Sequence, residues 1–227
     1  MVLKSKIPLI ILLVVVSFSL FADFDDDFID EKTMKKYFHK IFPKLQPKNK
    51  FKKGDSKSQL FPIGFSKKSH FAYIIYKYHL GLDGGLYKFT ILDLVKDIEV
   101  ESYTFLDKNK KKILSDIKKY AIIKKKNIKV HRFPLKWKRD VYKAFAEGKE
   151  NNCIVTLYSK KRGEKTISAF DCNYSYAGKE PSIFGYIKSP YENRIIVVVN
   201  YWDRWEMSTS ESFKLVGSHL TVGFKKK

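Results

Sequence analysis

From residue 60 onward, hydrophobic and polar residues form short runs whose spacing is typical of β-strands. The runs are rich in Phe, Tyr and Ile, and they often alternate apolar and polar positions. Nine runs have this character: 60–66, 69–82, 86–94, 98–106, 153–159, 165–171, 182–187, 193–202 and 211–224. With two helical segments they predict an α+β fold, mainly antiparallel β, with about nine strands in one or two sheets.

Two segments follow the helical period instead. Residues 109–126 place apolar side chains on one stripe and lysines on the other face, and we expect this helix to pack on the strands. Its stripe consists of Ile113, Ile117, Tyr120 and Ala121. Residues 34–42 predict a short basic amphipathic helix, which packs on its own domain or lies on a membrane surface. Its apolar face consists of Met34, Tyr37, Phe38, Ile41 and Phe42.

The N-terminus has the layout of a secretory signal peptide. Lys4 and Lys6 precede an apolar run over 7–21, and the small residue Ala22 then precedes an acidic stretch. The run is short for a membrane span, which needs about 20 residues, although an uncleaved anchor is an alternative. Cleavage near Ala22 predicts an exported protein, either periplasmic or secreted.

The segmental composition predicts three parts. Residues 1–22 form the signal peptide. Residues 23–59 form an acidic tail, the short helix and a linker rich in Lys and Pro. Residues 60–227 form a β-rich domain.

The chain is strongly basic, with 45 Lys and Arg, 24 Asp and Glu, and a formal charge of +21. Without the two signal lysines, the balance is 43 − 24, or +19. Such a charge favours anionic partners. The alternative is a solvated lysine surface, because Lys, Ile, Phe, Tyr and Asn are all abundant, as an AT-rich coding bias would give.

The two cysteines, Cys153 and Cys172, flank a candidate hairpin. A two-residue turn at Arg162 and Gly163 would set them directly opposite each other across two antiparallel strands. In an exported protein this arrangement predicts a disulfide, which is worth about 3 kcal/mol in the chain-entropy model. Two unbridged cysteines are the alternative. A metal site or redox dithiol would need a CxxC motif, which the sequence lacks.

The sequence identifies no catalytic residue, metal ligand or cofactor motif. It contains no HExxH, nucleophile elbow, Walker loop or dinucleotide fingerprint. Ser115 and Lys118 match SxxK, but the partner motifs of the penicillin-binding enzymes are missing. We therefore expect no cofactor.

Two clusters combine aromatic and cationic residues and are candidates for binding. The first cluster is Lys136, Trp137, Lys138, Arg139 and Tyr142, and the second is Trp202, Arg204 and Trp205. Aromatic rings between cations stack on sugars or bases while the cations hold anionic groups. The alternative is that each Trp covers a hydrophobic edge of the domain.

Two segments resemble the strand–turn–strand signature of TolB-type propeller blades. Residues 63–78 (IGFSKKSHFAYIIYKY) and 187–202 (IKSPYENRIIVVVNYW) share this outline. Two such segments are too few for a propeller, and simple hairpins are the alternative. The order of features over 60–224 is similar to a family of predicted secreted bacterial proteins of unknown function. The resemblance implies export and a β-rich fold, although Lys67, Lys68 and Ser69 replace the usual Pro-Asp-Gly turn.

These features predict a non-catalytic envelope protein that binds or scaffolds an anionic polymer, glycan or protein. The alternative is a hydrolytic enzyme acting on envelope polymers. Export argues against nucleic acid as the partner, and the 34–42 helix leaves a membrane surface open as a third possibility.

Overall fold

The computed structural model describes residues 42, 58–79, 84–104, 107–125, 128–172, 180–205 and 208–226, all within the unit Glu31–Lys227. The predicted signal peptide, acidic tail and most of the 34–42 helix and linker lie outside the described residues, and they stay predictions. Phe42, the last residue of that helix, is buried, and Lys124 Nζ lies 5.2 Å from its ring centroid.

The described residues form twelve strands in three antiparallel sheets. The first sheet contains β1 (Gln59–Phe65), β2 (His70–His79), β3 (Gly84–Asp93), β4 (Ile98–Thr104) and β5 (Ile123–Lys124), in the order β4-β3-β2-β1-β5. The second contains β6 (Leu135–Trp137), β7 (Asp140–Lys149), β8 (Asn152–Ser159) and β9 (Gly163–Asp171), in chain order. The third contains β10 (Ser182–Lys188), β11 (Arg194–Trp205) and β12 (Ser208–His219), also in chain order.

The β10–β12 sheet is the middle layer between the other two sheets. One hydrophobic core joins Ile196 and Val198 to side chains of β1, β2 and β3. A second core joins Ile195, Val197 and Val199 to side chains of β6, β7 and β8. All five residues of this run are buried. A strand that is buried on both faces needs apolar residues at consecutive positions, which explains the unbroken IIVVV run in an antiparallel sheet.

The β-rich prediction is confirmed, but the strand count and the number of sheets differ from it. All nine predicted runs overlap observed strands, including the hairpins β1–β2 and β10–β11 in the two segments that resemble propeller blades. β5, β6 and β7 are additional strands. β6 and β7 lie in the basic-aromatic segment, where cations interrupt the apolar period.

One helix, α1 (Lys110–Lys119), packs against the first sheet after a 3-10 turn (Asp107–Asn109). Ile113 and Ile117 are buried as predicted, but the third buried residue is Asp116. Ala121 is exposed with φ 51°, because the helix ends at Lys119 and the chain turns away through a left-handed residue. Within the described residues, no helix is long and apolar enough to cross a membrane.

The disulfide between Cys153 and Cys172 is present, with its Cα atoms 5.7 Å apart, but the predicted hairpin register is wrong. Cys153 is opposite Phe170, and the register shifts between Val155 and Thr156. Gly163 begins β9 with φ +91°, and a Cβ there would lie 2.1 Å from the carbonyl oxygen of Lys225. The turn therefore precedes Gly163, and Cys172 lies just beyond the end of β9.

Candidate anion-binding surface

The β6–β7 hairpin turns through Lys138 and Arg139, which lie between the paired residues Trp137 and Asp140. Both turn residues have positive φ, 45° at Lys138 and 60° at Arg139. A two-residue turn with two positive φ angles is type I′, which favours Asn-Gly because those residues tolerate the left-handed region. Two long cationic side chains occupy it here, and both are exposed.

The turn between β8 and β9, residues 160–162, lies beside the first turn. The strand order places β7 next to β8, and the backbone N–H of Lys160 donates to the carbonyl of Val141 at 3.0 Å. Both turns therefore lie at the same end of the β6–β9 sheet. The disulfide closes the opposite end, near the β7–β8 turn, where Cys172 N–H donates to the Asn151 carbonyl at 2.9 Å.

Asp140 connects the two turns and is 4% exposed. Its Oδ1 accepts from the backbone N–H of Val141 at 2.8 Å and of Lys161 at 3.1 Å. Its Oδ2 accepts from Ser159 Oγ at 2.5 Å, and that Oγ accepts from the Arg162 N–H at 3.0 Å. Burial raises the pKa of Asp140, but the hydrogen bonds outweigh it and hold the pKa below its usual value. The ionised carboxylate thus ties the backbone of the 160–162 turn to the start of β7, directly after the Lys138-Arg139 turn.

The two turns present a concentrated set of cations, which we call the basic turns. These exposed residues are Lys136, Lys138, Arg139, Lys160, Lys161 and Arg162. Asp140 lies beneath them and approaches Arg162 Nε at 3.9 Å. Clustered like charges raise the local positive potential and attract polyanions.

The C-terminal segment adds to this region. Glu164 and Lys225 exchange two backbone hydrogen bonds of 3.1 and 2.9 Å. Lys165 Nζ donates to the carbonyls of His219 and Val222 and lies 4.6 Å from the Phe224 ring centroid. Burial, with a smaller effect of the nearby Arg194 cation, lowers the pKa of Lys165 to about 8. Residues 224–226 are thereby held against β9 beside the basic turns.

A partly apolar surface continues from the basic turns along the side of the β6–β9 sheet that faces away from the core. Tyr158 on β8 is 38% exposed and is opposite Lys143 on β7. Phe145 on β7 is 55% exposed and is opposite Thr156. We call the surface formed by Lys143, Phe145, Thr156 and Tyr158 the outer face.

The first predicted cluster is only partly at this surface. Lys136, Lys138 and Arg139 belong to the basic turns, and Trp137 is half-buried with Lys138 Nζ 4.7 Å from its ring centroid. Tyr142 is fully buried, and its hydroxyl donates to the Leu220 carbonyl at 2.8 Å. Tyr142 therefore supports the hairpin from inside the core and is not part of the surface.

The second predicted cluster lies elsewhere. Trp202 is half-buried on β11, opposite Glu211. The ring centroid of its neighbour Tyr201 lies 5.2 Å from that of Phe170, toward the disulfide end of the β6–β9 sheet. The side chains of Arg204 and Trp205 lie outside the described residues. Trp202 thus follows a residue that packs near the disulfide end of the β6–β9 sheet, opposite the end with the basic turns, and the two clusters do not form one site.

Five surface residues were not singled out from the sequence: Phe145, Tyr158, Lys160, Lys161 and Arg162. The sequence signal for three of them was the KKR run before Gly163, which was interpreted only as a hairpin turn. In the part of the chain that the structure describes, no group of three His, Cys, Asp or Glu side chains is placed to hold a metal ion.

No protein-family model, curated protein or solved structure matches this chain. The resemblance to a family of secreted bacterial proteins of unknown function therefore stays a prediction.

Proposed function

We propose that this protein is an exported, non-catalytic binding protein that holds an anionic polymer on its basic turns. The observation that carries the proposal is the Lys138-Arg139 pair in a type I′ turn. A left-handed backbone costs a non-glycine residue roughly 1–2 kcal/mol, and Asn-Gly would relieve most of that cost. Strained residues of this kind cluster at functional sites.

The surroundings support the same function. Asp140 orders the backbone of the 160–162 turn and anchors it to the residue that follows the Lys138-Arg139 turn, so less order has to be imposed when a ligand binds. The net charge, which is 43 − 24 or +19 without the two lysines of the predicted signal peptide, adds a long-range attraction for polyanions. The disulfide is consistent with an oxidising compartment, which supports export.

The test is binding of inorganic polyphosphate to the full chain, measured by isothermal titration at two salt concentrations. K138Q/R139Q removes two charges from the basic turns. K67Q/K68Q is the matched control, because it removes two exposed charges from the β1–β2 turn. We expect the first variant to lose affinity about tenfold or more, with a shallower salt dependence, and the control to stay within about twofold.

Equal losses in the two variants would contradict a localised site and indicate attraction by net charge alone. The hydrolytic alternative makes a different prediction, since it requires shortening of a labelled envelope polymer during incubation with the protein.

A further inference from the structure

We propose that the ligand is an acidic saccharide chain, an inference that rests on the proposed function. Its anionic groups lie on the basic turns, and its sugar rings stack on Tyr158 and Phe145 of the outer face.

Charge is unevenly distributed along this side of the sheet. Lys143 and the basic turns make one end positive, although this end also contains one half-buried acid, Glu164, opposite Tyr158 on β9. At the other end, acids outnumber cations, since the exposed acids Glu147, Glu150 and Asp171 lie there with one exposed lysine, Lys149. A polymer with a charge on every unit would place some of its charges beside these acids. A ligand whose anionic groups are spaced apart by neutral units fits the gradient better.

The aromatic residues lie where the neutral units would extend from the turns. Tyr158 is opposite Lys143, and Phe145 is two residues farther along β7, which places the two residues about 7 Å apart along the strand direction. Thr156 is opposite both Phe145 and Thr166, so hydroxyl groups lie beside the aromatic residues. A sugar ring has an apolar face that packs on an aromatic ring and hydroxyls at its edge that bond to such groups.

Two other classes of ligand fit these residues less well. A nucleic acid also stacks on aromatic rings, but it has a phosphate at every nucleotide. An anionic membrane would cover both ends of the surface, including the acids. Single-stranded DNA and phosphatidylglycerol vesicles are therefore competitors in the test.

The experiment compares a hyaluronan octasaccharide, which is charged at every second ring, with inorganic polyphosphate, which has charge and no rings. F145A/Y158A is the test variant. F184A is the matched control, because Phe184 is similarly exposed, at 48%, on β10 of the central sheet. We expect F145A/Y158A to weaken hyaluronan binding about tenfold or more and to leave polyphosphate binding within about twofold. F184A should change neither affinity.

The outcomes separate the two proposals. If polyphosphate binds at the basic turns but F145A/Y158A leaves the hyaluronan affinity unchanged, the saccharide proposal is wrong and the proposed function stands. If the wild-type chain binds neither anion, both are wrong. If DNA or vesicles bind more tightly than hyaluronan and F145A/Y158A weakens that binding, the ligand class is wrong. Sedimentation showing a dimer that F145A/Y158A dissociates would assign the outer face to a second copy and overturn the saccharide.

Discussion

Replacing Lys138 and Arg139 by Asn and Gly should make the protein more stable and make it bind polyanions more weakly. Both residues have left-handed backbone angles, φ 45° and φ 60°. Asn and Gly adopt a type I′ turn with little strain, so the folded state should gain free energy. The same change removes two of the cations to which we attribute binding.

The size of each effect follows from the turn. Relief of a left-handed residue is worth roughly 1–2 kcal/mol, and the extra freedom of Gly in the unfolded chain takes back roughly 0.4–1 kcal/mol. The net gain is about 1 kcal/mol, which raises Tm by about 2–4 °C in a domain of this size. Loss of two cations near an anionic surface costs about 2 kcal/mol of binding free energy, or about thirtyfold in affinity.

The assay pairs thermal unfolding, followed by circular dichroism, with titration of polyphosphate. K138Q/R139Q serves as the companion variant, because it removes the charges and keeps two non-glycine residues in the turn. It should lose affinity without gaining stability. If K138N/R139G binds polyphosphate as tightly as wild type, the turn is not the binding site. If the Tm of K138N/R139G falls below that of wild type, the left-handed backbone at residues 138 and 139 does not strain the fold as we infer.

Four further predictions follow from the contacts around the site. D140N should lower the free energy of unfolding by about 2 kcal/mol at pH 7 in urea titrations, since it weakens hydrogen bonds to a carboxylate. The pKa of Asp140 is lower in the folded state than in the unfolded state, so the ionised carboxylate stabilises the fold above the unfolded pKa. This stabilisation is lost as pH falls below about 4, and the unfolding free energies of D140N and wild type should converge there. C153S/C172S should lower the free energy of unfolding by about 3 kcal/mol and Tm by about 6–12 °C. It should leave polyphosphate affinity unchanged at 20 °C, because the disulfide is at the opposite end of the sheet from the basic turns. A loss of affinity as large as that of K138Q/R139Q would contradict this separation. Burial and the nearby cations Arg194 and Lys165 lower the pKa of His219, so wild type should lose stability as pH falls below about 6.5, and urea titrations of H219Q should show a flatter profile. G163A should destabilise the chain by more than about 1 kcal/mol, because its Cβ would meet the Lys225 carbonyl and its φ is +91°; a Tm equal to that of wild type would show that residues 224–226 are not held there.

The sequence predicted most strands because their apolar residues recur at the expected spacing. It did not predict the layer order. An unbroken run such as IIVVV (195–199) indicates a buried strand, but only the fold shows that its two faces contact different sheets. The β6–β7 hairpin was missed for a local reason, since Lys138 and Arg139 occupy a turn that normally carries Asn-Gly.

The candidate site shows the same limit. Lys136, Lys138 and Arg139 were predicted because cations and aromatics alternate there. Lys161 is more than twenty residues away in sequence, and only the pairing of β7 with β8 brings its backbone to Asp140. The alternation of side chains along β7 also determines that Tyr142 points into the core, because the two-residue turn fixes the register of β6 with β7. With the turn unidentified, the direction of that side chain did not follow from the pattern.

The most direct test of the central claim is to locate bound polyphosphate on the ¹⁵N-labelled full chain by amide chemical-shift changes. We expect the largest changes at residues 136–139 and 160–162, and we expect high salt to abolish them. Changes of equal size at Lys67 and Lys68, or changes confined to the β10–β12 sheet, would contradict it.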